Sequence, residues 1–121
     1  MKSLSGFTLI ELITVMVILT ILAIVCLPKY LDFSAKAQTT MTESVAAALS
    51  SANAENYATR TENKINGISI KNCSNLSKLI LSGLPSGYKI KGAKVSVNVT
   101  IACVLKGPSN TQATFFATGI L

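Results

Sequence analysis

The stretch FTLIELITVMVILTILAIVCL, Phe7 to Leu27, decides the fold. It contains 21 residues and a single charge, Glu11. As a helix it would span about 32 Å, close to the thickness of a bilayer's hydrocarbon core. A helix from a soluble core would keep a polar face, and this segment has none. Three membrane readings compete. A cleavable secretory signal would end in a small-residue site, but this run ends Cys26-Leu27-Pro28-Lys29-Tyr30. A plain anchor leaves Glu11 unexplained, because an acid at a helix centre costs about 2.5–3.5 kcal/mol on insertion scales. The third reading draws on the residues that precede the run.

The whole chain has 121 residues, enough for one modest core. Half of it is hydrophobic and 13% is charged, which excludes a disordered chain. It has no His, so the commonest general base is absent, and no Trp. The cysteines, Cys26, Cys73 and Cys103, form no C-x-x-C pair. The composition argues against an enzyme and against a metal site, and no cofactor is expected. Net charge is +6, which brings acidic partners into view.

The opening MKSLSGFTLIEL resembles the prepilin signature of the type IV pilin family. Lys2 stands in a short basic leader, then come Gly6 and Phe7-Thr8-Leu9-Ile10-Glu11 at the head of the apolar helix. The resemblance implies cleavage between Gly6 and Phe7 by a membrane-embedded prepilin peptidase, with N-methylation of Phe7. Gly6 lets a peptidase approach the backbone closely. Cleavage would leave a cationic amine at Phe7, and Glu11 lies four residues along on the same helix face. The resemblance implies that Glu11 pairs with the amine of a neighbouring subunit, setting the stagger of bundled helices. The alternative is that Glu11 is neutralised by protonation or by its own terminus. Pro28 occupies the place where the family's helix locally unwinds in filaments. It also fits a simple end to the membrane helix, with Lys29 and Tyr30 at the water interface. Cys26 reads as a small packed hydrophobe.

Beyond Pro28 the helical period resumes. Tyr30, Phe33, Ala37, Met41, Val45, Ala48 and Ala52 form an apolar, Ala-rich stripe, with Ser34, Thr39, Thr42, Ser50 and Asn53 between them. A helix from Phe7 to about Tyr57 would measure about 75 Å. Asn63–Asn72 reads as loop and strand, with Asn66-Gly67 as a turn. Ser74–Gly83 reads as a short helix capped by Ser74. Tyr88–Ile90 begins a strand. Ala93–Leu105 alternates with period two, with Val95, Val97, Val99, Ile101, Cys103 and Leu105 inward. Gly107-Pro108-Ser109-Asn110 reads as a turn and Ala113–Ala117 as a last strand. The expected class is α+β: a long N-terminal α-helix, membrane-spanning in its first half, packed on a small antiparallel β-sheet head. The expected division is a leader at 1–6, a membrane or filament-core helix at 7–28, an amphipathic helix at 29–58 and a β head at 59–121.

A head of about 60 residues is small enough to need a staple. A Cys73–Cys103 bond would close a loop of about 30 residues, worth about 3–4 kcal/mol. Export to an oxidising compartment makes that bond the expectation, as against two buried free thiols. All five acids lie at or before Glu62, and seven lysines follow it. The basic head suggests contact with a polyanion such as DNA. The plainer reading is a solvated face that discourages strand-edge aggregation. The major pseudopilin of type II secretion has a similar N-terminal helix. It typically holds calcium through carboxylates, which this head lacks. The triplets at Asn72, Asn75 and Asn98 carry little weight as glycosylation signals.

The resemblance implies a structural subunit of a type IV pilus, self-assembled through an inner-membrane assembly platform. Its place would be the inner membrane of a Gram-negative bacterium first and the extracellular filament afterwards. Adhesion, motility and DNA uptake are the family's roles. A pseudopilin or a minor pilin is the alternative.

Overall fold

The computed structural model describes residues 6–121. Of the expected leader, only Gly6 falls among them, and residues 1–5 lie outside. The chain begins with one helix, α1, Leu9–Glu62. A three-strand antiparallel sheet follows in the order β1 (Lys89–Ile90), β2 (Thr100–Lys106), β3 (Gln112–Thr118). Short 3₁₀ turns cover Cys73–Leu79 and Pro108–Asn110. The class is α+β, as expected. The chain divides into two compact units, one ending at Lys36 and one from Ala37 to Leu121.

In the first unit every described residue from Gly6 to Phe33 is exposed. Pro28 lies inside α1. Its missing N–H leaves the Ile24 carbonyl without its usual i+4 donor, yet the helix continues.

The second unit has a core of Leu49, Ile70, Leu76, Leu105 and Phe115, all fully buried, with Cys73 and Cys103 among them. The two cysteines are disulfide-bonded, joining the 3₁₀ turn to β2. Strand β3 alternates as a half-buried strand must: Phe115 and Ala117 point inward, Phe116 outward. Leu49 and Ala46 bring the helix into the same core.

The helix docks by a face other than the expected one. Its buried residues are Thr42, Ala46, Leu49, Asn53 and Asn56. Met41 stays 57% exposed, and in the first unit Tyr30 and Phe33 are exposed as well. The physical reason lies in β3. Pairing with β2 leaves the Phe116 and Thr118 amides open on the other edge. Ser50 Oγ accepts from Phe116 N–H at 3.1 Å, and Asn53 Oδ1 accepts from Thr118 N–H at 3.0 Å. Asn53 Nδ2 donates to Thr118 Oγ1 at 3.3 Å. One end of the seam is a 2.7 Å bond between the Thr42 and Thr111 hydroxyls. At the other, Asn56 accepts from Ile68 N–H at 2.7 Å and donates to Ile68 O at 2.9 Å. The helix thus finishes a sheet edge that would otherwise offer itself to another strand. Asn56 also explains Gly67 (φ 78°): a Cβ there would sit 2.7 Å from Asn56 Oδ1. The helix runs on past Tyr57 to Glu62.

Two other local expectations are corrected. The long strand over Ala93–Leu105 is a strand only from Thr100. Asn98 adopts a left-handed φ of 60°, which Asn tolerates and which breaks the ladder. A Val99 N–H to Ser96 O bond closes the turn, and Val97 bridges Gly119 in parallel instead. Val97 and Val99 are therefore 44% and 45% exposed, while Val95, Cys103 and Leu105 are buried. Gly119 is needed at that crossing because any Cβ would strike the Ser96 carbonyl. The segment expected as a helix at Ser74–Gly83 is a 3₁₀ turn capped by Asn72 rather than Ser74. Asn72 accepts from Ser74 N–H at 3.1 Å while Asn75 Oδ1 accepts from Asn72 N–H at 2.9 Å. Within Asn63–Asn72, pairing is limited to isolated bridges, Ile70 with Ile120 and Asn72 with Lys94.

The seam and the staple are separately testable. Asn53→Ala leaves the half-buried Thr118 amide without its acceptor, at a cost of about 1–3 kcal/mol. Hydrogen exchange at Thr118 is expected to quicken roughly tenfold or more; unchanged protection would mean that the helix does not hold this edge. Cys103→Ser is expected to lower the melting temperature of the head by about 10 °C or more, given the staple's worth. The near-UV dichroism of the packed Tyr57 and Tyr88 reports it, and an unshifted melt would refute the staple.

Candidate functional site

The N-terminal third concentrates the residues that sequence reading singled out. Gly6 is exposed, and a Cβ built on it would meet nothing within 4 Å. Phe7 is 79% exposed. Thr8 immediately precedes the helix, and its carbonyl accepts from Leu12 N–H at 3.1 Å. Its hydroxyl accepts from Glu11 N–H at 3.2 Å. Thr8 is therefore the N-cap and Glu11 the third helical residue. Sequence reading overlooked this cap, although Thr-x-x-Glu before an apolar run is its signature.

The cap leaves the Glu11 side chain unoccupied. The Thr8 hydroxyl serves the Glu11 amide, and among the described residues the Glu11 carboxylate has no hydrogen-bond or ion-pair partner. The carboxylate stands in the first turn, where the helix dipole favours negative charge.

Two further polar side chains in the apolar stretch are satisfied inside the helix. Thr14 Oγ1 donates to Ile10 O at 2.7 Å, and Thr20 Oγ1 donates to Met16 O at 2.8 Å. An apolar solvent therefore meets no open hydroxyl there. By length and composition the helix can cross a membrane. Its exposed side chains, Leu9, Ile10, Ile24 and Leu27 among them, form a surface that water does not suit.

Cys26 is a free thiol on this exposed surface, while Cys73 and Cys103 belong to the head. Pro28 shares the helix with Glu11, but the two are far apart in sequence and form no joint pocket. Among the described residues, no three His, Cys, Asp or Glu side chains gather as a metal site.

Comparison with known proteins bears on this same region. Residues 1–27 match the family described as "Prokaryotic N-terminal methylation motif". Two curated proteins named "Fimbrial protein", both from Pseudomonas aeruginosa, are each 46% identical to this chain over 52 residues. That stretch is 43% of this chain and 34% of each relative, so the match spans about a third of the relatives' length. No solved structure matches. The methylation motif, the fimbrial relatives, and a long apolar helix with a small antiparallel sheet support a likeness to the type IV pilin family.

Proposed function

We propose that this chain is the structural subunit of a type IV pilus filament. Prepilin peptidase cuts between Gly6 and Phe7 and methylates the new amine at Phe7. Helix 7–28 then holds the subunit in the inner membrane until an assembly platform moves it into the extracellular filament. There the apolar helices cover one another. The observation that carries this reading is an apolar helix surface exposed from Phe7 onward, with one carboxylate in its first turn, Glu11, that has no partner among the described residues.

The physics of that carboxylate favours a partner from outside the chain. A charge taken into an apolar bundle costs several kcal/mol unless paired. Thr8 already caps the helix, so Glu11 is not needed for that task. The methylated amine of a neighbouring Phe7 is a cation of the right sign at a helix N-terminus. Pairing it with Glu11 removes both charges' cost and fixes how far one subunit is offset from the next. Pro28 contributes a weak point, because the Ile24 carbonyl lacks its helical donor and the local turn loosens at little cost. The role is structural, with no catalytic step.

Two experiments bear on processing and assembly. The intact mass of the exported protein should correspond to a chain starting at Phe7 with one added methyl, and Gly6→Leu should accumulate uncleaved precursor. A mature protein still starting at Met1, in cells with active prepilin peptidase, would sink the reading. Glu11→Gln should be cleaved and should remain in the inner membrane, yet yield few or no fibres. Each added subunit would then bury an unpaired amine at a cost of about 3–5 kcal/mol. Sheared fibre is measured against total subunit; a normal yield would leave Glu11 with no part in assembly.

A further inference from the structure

The basic head has a local feature that a generally solvated face does not require. Lys89 on β1 and Lys106 on β2 are direct partners in the antiparallel register. Residues so placed project from the same side of a sheet, and like charges there repel. No acid lines the pocket that they border, and the acid on the neighbouring helix, Glu43, lines a separate cleft on the far side of Gln112. Neither lysine has a hydrogen-bond or ion-pair partner among the described residues.

Both lysines line one polar pocket of about 210 Å³, together with Asn110, Thr111 and Gln112, the last being the direct partner of Lys106 in the sheet. The side chains of Asn110 and Gln112 also lack partners among the described residues. Four side chains with donor groups, two of them cationic, thus border one cavity that no carboxylate enters. The floor is held in place. Thr111 Oγ1 bonds Thr42 Oγ1 at 2.7 Å and donates to Pro108 O at 2.8 Å, and Gly107 N–H donates to Thr111 O at 2.8 Å. A cavity of this size holds several waters or one tetrahedral oxyanion with part of its hydration.

The geometry points to an oxyanion site here, formed by Lys89, Lys106, Asn110 and Gln112, that takes a phosphate group. Lysine meets phosphate as a point charge, so two ammonium groups match its double charge. The neutral amides can supply hydrogen bonds to the remaining oxygens. A carboxylate has one charge and two oxygens and leaves half of these donors idle. The phosphate can come from the free ion or from a phosphodiester in a polymer, and the test separates the two. The site does not depend on filament assembly.

The full chain in non-ionic detergent micelles, labelled with ¹⁵N, is titrated with inorganic phosphate and with oligothymidylate. Sodium chloride at equal ionic strength and sodium acetate are run beside them. The expected result is saturable shifts at the Lys89, Lys106, Asn110 and Gln112 amides with a phosphate compound and not with chloride. Saturation by inorganic phosphate supports a site for the free ion. Saturation by the oligonucleotide alone supports the same site with a phosphodiester as its ligand. The double variant Lys89→Gln, Lys106→Gln should weaken binding roughly tenfold or more, while Lys64→Gln should not. Three outcomes each overturn the proposal: equal shifts with chloride or acetate, shifts spread over all the lysines, or unchanged binding by the double variant with its spectrum otherwise intact.

Discussion

Hydrogen bonds from helix side chains to the open edge of β3 hold the second unit in register. A sheet of three short strands cannot protect its own edges. Here Ser50 and Asn53 accept from the Phe116 and Thr118 amides, where a fourth strand would otherwise supply carbonyls. Ala46 and Leu49 lie on the same side of the helix and fill the core. Hydrophobic contact sets the depth of docking, while the polar bonds set the register. Sliding the helix by one residue would strand two amides and the Thr42–Thr111 bond together. The disulfide adds a constraint from another direction, tying the segment after the helix to β2.

The front of the same helix obeys a different rule. From Phe7 to Leu27 every residue is exposed, and the Thr14 and Thr20 hydroxyls turn back on carbonyls of their own helix. A segment whose threonine hydroxyls are bonded within the helix, and whose backbone lacks helical bonds only at its first turn and at the Ile24 carbonyl before Pro28, can pass between lipid and protein surroundings without breaking a hydrogen bond. The proposed passage from membrane to filament requires that property. Its energetic question then rests on the one charge, Glu11, and on the open Ile24 carbonyl before Pro28.

What could be read from sequence divides along physical lines. The apolar run and strand β3 were legible because their signals are local, length and alternation; the Cys73–Cys103 pairing was legible because both cysteines fall in one small head that needs a staple. The docking face was not. Thr42, Asn53 and Asn56 look like a solvent face until a strand edge with open amides is placed beside them. Periodicity ranks residues by apolarity and cannot register a polar surface that a partner will satisfy. Asn98 escaped for a related reason. Six apolar residues alternate across it, and one left-handed residue, with Tyr57 Oη donating to its side chain at 3.3 Å, ends the ladder. At the N-terminus the residues of interest were legible, but the part played by Thr8 among them was not.

That part alters how the motif is understood. If Glu11 capped its own helix, its charge would already be spent within the chain and its place in the motif would need no neighbour. Thr8 takes the cap instead, through a neutral hydroxyl bonded to the Glu11 amide. A neutral cap carries no charge into an apolar surrounding, so it would serve equally in the proposed precursor, membrane and bundle states. The carboxylate is left with no partner among the described residues, in the turn where the dipole favours it. Two adjacent needs of a helix start, a cap and a charge, are thus met by two residues three apart. In the proposed filament this separation matters. A carboxylate engaged by its own chain would have to be released before a neighbour could pair with it, whereas a free one draws in the next subunit's amine as soon as the helices meet.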